Sequence, residues 1–249
     1  MTAYAEGVDG ALIAYGVHPG APADGAHPPV LLVHGFASDA VVTWDTTGWL
    51  RALEATGRAV ITVDLRGHGD SDKPTDADAY APTMQAADLV AVLDSAGAGA
   101  VDLVAYSMGC RIASAVAELA PERIRRLVLG GTGPVEVFAT WRHEDVDRML
   151  TSRDFSSNPV AEAILGPALA AGADAEVLAA IVDGVAGAPL VAPPDIPVLF
   201  VSGELDPVGE GTQALAEDWG ARYVSIPGRG HVNALTSRTF KDAVIGFLD

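Results

Sequence analysis

Hydrophobic residues in this chain gather into short unbroken runs separated by polar and glycine-rich punctuation. Val30-Leu31-Leu32-Val33, Ala59-Val60-Ile61-Thr62-Val63 and Val198-Leu199-Phe200-Val201 show no apolar-polar alternation. Such runs suit central strands covered on both faces. Val101 to Tyr106 and Ile124 to Leu129 read as further strands, and Arg222 to Ile226 as a last one. Leu12 to Tyr15 predicts an early strand, hairpin-paired with Tyr4-Ala5 across Gly7 to Gly10. Between these runs apolar residues recur at helical spacing. Trp49, Leu50 and Leu53 predict a helix through about Thr56, stopped by Gly57, and Leu89, Val92 and Leu93 mark one face of a helix from Met84 to Asp94. Helices are also expected over Arg111 to Leu119, Gln213 to Trp219 and Val232 to Leu248. His18 to Pro29, dense in Gly, Pro and Ala, reads as a surface loop in which His18 and His27 are solvated. Strands alternating with helices predict a mostly parallel, doubly wound α/β sheet with helices on both faces.

The pattern breaks between Gly133 and about Pro194. No strand-like run occurs there; Val146, Met149 and Leu150 suit a short helix, and Leu178, Ile181, Val182 and Val185 follow the i, i+3, i+4, i+7 spacing of another. The expected organisation is a core of residues 1–132 and 195–249, with 133–194 inserted after the sixth strand as a short helical lid.

Composition narrows the function without naming it. The 249 residues are 49% hydrophobic, enough for a sizeable core, and the formal charge of −18 repels phosphate backbones, so nucleic acid is not an expected partner. The single cysteine, Cys110, excludes an internal disulfide and a four-cysteine zinc site, and no metal or cofactor is expected. With no secretory leader pattern at the start and no apolar run long enough for a membrane span, a cytoplasmic location is expected. Oligomeric state is not legible.

The chemistry gathers at the ends of the predicted strands. Ser107 stands between a strand and a helix, with the small residues Ala105 and Gly109 two positions either side. A strand, a sharp turn and a helix with serine at the apex is the pattern of a nucleophile elbow. A serine hydroxyl needs a base, and histidine backed by a carboxylate meets that need at neutral pH. Asp206, in Gly203-Glu204-Leu205-Asp206-Pro207, and His231, in Gly228-Arg229-Gly230-His231, follow predicted strands in the order serine, acid, histidine that accompanies an elbow. Glu204 is the fallback acid. His68 reads as a turn-stabilising group, and His143 as a residue of the inserted segment with no evident acid beside it. Backbone N–H groups of Phe36 and Met108 would receive the developing oxyanion, Gly35 allowing close approach. Phe138, Trp141 and Phe155 are candidate walls of a substrate pocket.

Val33-His34-Gly35-Phe36, Asp64-Leu65-Arg66-Gly67-His68-Gly69-Asp70-Ser71, the Ser-Met-Gly elbow, Gly-Glu-Leu-Asp-Pro and Gly-Arg-Gly-His together resemble the α/β-hydrolase superfamily over nearly the whole chain outside the inserted segment. The resemblance implies that fold, a Ser107, Asp206 and His231 triad, and an oxyanion pair at Phe36 and Met108. Ala105 departs from the family's usual glycine by one methyl group. Serine at the elbow disfavours haloalkane dehalogenases and epoxide hydrolases, which carry aspartate there, and the Gly-Gly-Ser-Trp-Gly elbow of proline iminopeptidases is absent. Carbon–carbon bond hydrolases are similar but commonly carry tryptophan where this chain has Val232. The expected activity is hydrolysis of small-to-medium carboxylic esters through an acyl-enzyme. The alternatives are a carbon–carbon bond hydrolase, a hydroxynitrile-lyase-like enzyme using Arg142 or Arg153 to hold cyanide, and a slow-turnover ligand sensor.

Overall fold

A computed structural model describes residues 2–20, 27–156 and 158–249. In chain order the strands are β1 (Thr2–Glu6), β2 (Leu12–His18), β3 (Val30–Val33), β4 (Val60–Val63), β5 (Val101–Tyr106), β6 (Ile124–Gly130), β7 (Val198–Gly203) and β8 (Arg222–Ile226). The helices are α1 (Trp49–Glu54), α2 (Pro82–Ser95), α3 (Gly109–Leu119), α4 (His143–Asp147), α5 (Pro159–Ala170), α6 (Ala175–Val185), α7 (Thr212–Asp218), α8 (His231–Ala234) and α9 (Arg238–Leu248). The strands form one 8-stranded sheet in the order β1-β2-β4-β3-β5-β6-β7-β8. β1 and β2 form the expected hairpin, β2 also runs antiparallel to β4, and every later pairing is parallel.

Side-chain alternation explains why the central strand runs are mostly apolar on both faces. Leu31, Val33, Leu103, Ala105, Leu127 and Leu129 join one core layer with residues of α2, α3 and α6. Their neighbours Val30, Leu32, Val104 and Val128 join a second layer with Trp49 and Leu53 of α1 and Phe240 and Val244 of α9. Both sheet faces are thus covered, as a parallel sheet requires.

The strand order places the chemistry. From β3 the chain crosses to β4 on one side, then passes back over β3 to β5 on the other. The winding direction therefore reverses between β3 and β5, the switch point at which ligands bind beyond the strands' carboxyl ends.

Between β6 and β7 the described residues contain helices and no strand. α6 is docked hard on the core: its Val177, Leu178, Ile181, Val182 and Val185 are buried, and a Cβ added to Gly184 would lie 2.3 Å from the Ala77 carbonyl oxygen. Among the described residues no helix is long and apolar enough to cross a membrane.

Several expectations require correction. α5 has no counterpart in the sequence reading, because apolar residues surround it and Gly166 and Pro167 interrupt its pattern. The expected single helix from Val232 to Leu248 is broken at Leu235–Ser237, where the Leu235 carbonyl turns aside to accept the Trp49 indole N–H at 2.9 Å. His18 belongs to β2, its Nε2 lying 3.2 Å from Thr62 Oγ1, and does not sit in a solvated loop. Residues 21–26 of that expected loop lie outside the described residues.

Candidate active site

The turn after β5 is built around Ser107. Its φ of 55° is left-handed, a conformation that strains a non-glycine residue. It is held there by its own N–H donating to the Gly130 carbonyl at 2.8 Å and its carbonyl accepting from Cys110 N–H at 2.9 Å. The flanking small residues have separate causes. A Cβ on Gly109 would lie 2.3 Å from the His34 carbonyl oxygen, and Ala105 is fully buried between β3 and β6. Gly35 passes so close that a Cβ there would meet Ser107 Cβ at 3.0 Å. Cys110, next in the helix, is buried and its thiol pushed up by desolvation, which leaves it an inert packing group.

His231 opens α8 and points back at the elbow. Its Nε2 lies 2.9 Å from Ser107 Oγ, and its Nδ1 lies 2.9 Å from Asp206 Oδ2 and 3.1 Å from Oδ1. An ionised carboxylate only accepts, so Nδ1 carries the proton and Nε2 is free to accept the serine's. Asp206 and His231 are both buried. Asp206 is oriented by a 2.9 Å bond from Val208 N–H to Oδ1, while the His231 carbonyl accepts from the buried Tyr106 hydroxyl.

The loops after β7 and β8 meet backbone to backbone, Leu205 N–H donating to the Arg229 carbonyl at 2.9 Å. Gly203 permits this, since a Cβ there would lie 2.2 Å from the same oxygen. Glu204, the fallback acid, is exposed and accepts from Gly228 N–H at 2.8 Å instead of reaching His231.

The Phe36 and Met108 backbone N–H groups find no hydrogen-bond acceptor among the described residues, and both residues line the cavity that contains Ser107. Two neutral histidines brace this region. His34 Nδ1 donates to the Gly35 carbonyl at 2.7 Å while Nε2 accepts from Leu65 N–H at 2.9 Å. His68 Nδ1 donates to the Arg66 carbonyl at 3.0 Å and Nε2 accepts from Ala37 N–H at 3.1 Å. His68 is therefore the turn-stabilising group expected from the sequence.

Burial depresses His34 from its ordinary 6.5 to about 4. An unfolded chain would take up a proton between those values that the folded protein refuses. The stabilisation from neutral His34 is thus complete above about pH 6.5 and declines as pH falls toward 4, by roughly 3 kcal/mol. His68 is depressed to about 3 by burial and by its neighbour His34, and acts with the same sign. Urea denaturation midpoints should fall steadily from pH 7 to pH 4.5 at constant slope m; a flat series would contradict the assignment.

Phe138 and Trp141 line the Ser107 cavity, in an edge-to-face series running Phe36, Phe138, Trp141 with ring centroids 4.9 and 5.0 Å apart. Phe155 does not. It packs, half-buried, against the core side of the helical segment, where the chain has turned away through Arg153 at a φ of 54°. Arg142 pairs with Asp145 and Arg153 donates to the Leu169 carbonyl, so neither lines the cavity. His143 is exposed, its nearest acid Asp183 at 3.9 Å. The sequence reading missed Arg111, Thr132, Glu136, Ile164 and the valines at 135, 137, 160 and 208 as lining residues. None carried a local signal; Arg111 sits in the first turn of α3, which begins two residues after Ser107.

The cavity at Ser107 is tight, about 30 Å³, and shares Val137, Trp141, Val160 and Val208 with an outer chamber of about 380 Å³.

Comparison with known proteins agrees with this fold. A family model described as alpha/beta hydrolase fold matches residues 28–170, more than half of the chain. The chain belongs to the α/β-hydrolase family. Over 124 residues it is 36% identical to a 2-hydroxymuconate semialdehyde hydrolase of Pseudomonas sp. (strain CF600), a match covering 50% of this chain and 43% of that protein. The match thus spans less than half the length of that curated relative. The crystal structure of a hydrolase from Pseudomonas aeruginosa PA01 superposes with a TM-score of 0.81 at 25% identity, covering 99% of this chain and 98% of the other. The enol-lactonase from Burkholderia xenovorans LB400 gives a TM-score of 0.77 at 23% identity, with 99% of each chain covered, and shares the fold.

Proposed function

We propose that this protein is a serine hydrolase that cleaves small-to-medium carboxylic esters through an acyl-enzyme intermediate. One observation carries the reading: an unbroken hydrogen-bonded line from Asp206 through His231 to Ser107, with both links at 2.9 Å. In this mechanism Ser107 Oγ attacks the ester carbonyl carbon as His231 Nε2 takes its proton. Asp206 stabilises the imidazolium that forms. The carbonyl oxygen, now an alkoxide, is received by the Phe36 and Met108 N–H groups, which have no other acceptor among the described residues. Collapse expels the alcohol, protonated by His231. Water then repeats the sequence on the acyl group and frees Ser107.

The size restriction follows from the tight inner cavity and its aromatic wall. We treat residues 133–194 as a lid. Its α6 part is fixed to the core, so any opening falls to the stretch carrying Trp141 and α5. No cofactor enters the mechanism. Likeness to 2-hydroxymuconate semialdehyde hydrolase favours carbon–carbon bond hydrolysis as a second reading.

A panel of 4-nitrophenyl esters from acetate to dodecanoate tests the proposal. Multiple turnover with a maximum at short or medium chains is expected, and a fluorophosphonate should add its mass to the Ser107 peptide alone. Labelling elsewhere, or turnover confined to vinylogous 1,5-diketones, would reject the ester reading. Cyanide release from mandelonitrile would favour a lyase, and a single slow turnover a sensor.

A further inference from the structure

The helix that begins just after Ser107 carries a buried positive charge that no carboxylate among the described residues hydrogen-bonds. Arg111 is 4% exposed and lines the cavity that contains Ser107. Its Nη2 donates to the Gly133 carbonyl at 2.6 Å, whereas its Nη1 has no hydrogen-bond partner. The other two arginines in the buried class are treated differently by the fold. Arg58 bonds Asp102 at 3.0 Å, and Arg66 bonds Asp88 at 2.8 Å and also Asp9. Among the described residues, Arg111 forms no salt bridge.

A buried guanidinium that keeps its charge without a counter-ion is costly, and a structure rarely retains one unless something else compensates it. Glu136 lines the same cavity, but its carboxylate already accepts from the N–H groups of Phe138 at 2.9 Å, Ala139 at 2.8 Å and Gly187 at 3.1 Å. It lowers the local potential without meeting Nη1. Among the described residues the other buried side-chain nitrogen and oxygen atoms without partners are Trp44 Nε1, Arg58 Nε and Gln85 Oε1, and none of these residues lines the Ser107 cavity.

We infer that Arg111 is a substrate-binding residue, its Nη1 donating to a carboxylate on the acyl portion of the ester. The preferred substrates are then half-esters of short dicarboxylic acids, an inference that rests on the ester-hydrolase reading of Ser107. Arg111 and Ser107 line the same cavity, so the carboxylate end and the reacting carbonyl of one substrate share it. The cavity's small volume requires Trp141 and Val160, which border the outer chamber, to yield as the acyl chain enters.

The test compares mono-4-nitrophenyl succinate, glutarate and adipate with the neutral butyrate, pentanoate and hexanoate. The native enzyme should favour the anionic member of the best pair in kcat/KM. Arg111→Met should lower kcat/KM for the anionic esters by roughly 10- to 100-fold more than for the neutral ones, mainly through KM, because the lost bond is a charge-assisted one remote from the reacting atoms. Arg111→Lys should recover part of the loss. Calorimetric titration of glutarate into the native enzyme and into Arg111→Met reads the same contact without turnover. Native preference for neutral esters together with no glutarate binding overturns the inference, whether or not the variants fold. Equal losses on both substrate series in folded Arg111→Met overturn it as well. If no ester is turned over but glutarate binding depends on Arg111, the ester reading fails and the carboxylate site stands.

Discussion

Replacing Ser107 by alanine should lower kcat on the best nitrophenyl ester by roughly 10⁴-fold or more while leaving the fold intact. The hydroxyl is the only atom removed, and the strained turn is held by backbone bonds to Gly130 and from Cys110 that alanine preserves. His231→Ala should lose a similar factor, and the double variant no more than either alone. Once the base or nucleophile is gone, the remaining partner has nothing to act on. Residual turnover above the uncatalysed rate should persist through the Phe36 and Met108 N–H groups. Single-turnover kinetics on each purified variant, with thermal melts as the folding control, reads all these outcomes. Ser107→Ala retaining most of the activity would sink the triad assignment, and strict additivity of the two losses would show that the residues do not act as a unit.

Asp102→Ala should cost about 3–5 kcal/mol of stability, the largest effect expected away from the active site. Asp102 is fully buried at the start of β5, bonding Arg58 Nη1 at 3.0 Å and Arg125 Nε at 2.7 Å. Arg58 also donates to the Leu248 carbonyl at 2.7 Å, so this cluster ties β5 to the end of α9. Removing the carboxylate leaves the buried Arg58 guanidinium without its buried counter-ion. For a domain of this size the melting temperature should fall by about 10 °C. A drop under about 1 kcal/mol in urea denaturation would mean that Arg58 finds compensation in Asp249, which it already bonds at 3.1 Å. Asp102 lies at the opposite end of β5 from Ser107, so kcat per folded molecule should be retained.

The contrast between Asp102 and Asp206 shows what could be read in advance. Both are buried aspartates beside apolar strands. Asp206 follows its strand, in a proline-terminated turn, and was legible as an acid for His231. Asp102 lies inside an apolar run, and nothing local indicates that two arginines distant in sequence converge on it. Arg111 belongs between these cases. Its place at the start of an expected helix was legible, but its lack of a counter-ion is a property of everything packed around it.

Apolar runs and their punctuation determined the central strands β3, β4, β5 and β7, because burial on both faces leaves a continuous hydrophobic signature that needs no partner to be recognised. The same local logic picked out Ser107, Asp206 and His231 as candidates, each marked by small residues at a strand end. Tertiary structure alone decided the rest. It broke the last helix so that Leu235 could meet Trp49, formed α5 from a segment without a periodic face, and turned Phe155 away from the cavity. It also left one guanidinium nitrogen of Arg111 without a partner beside Ser107. These outcomes depend on which surfaces meet across long sequence separations, and local patterning has no means of recording that.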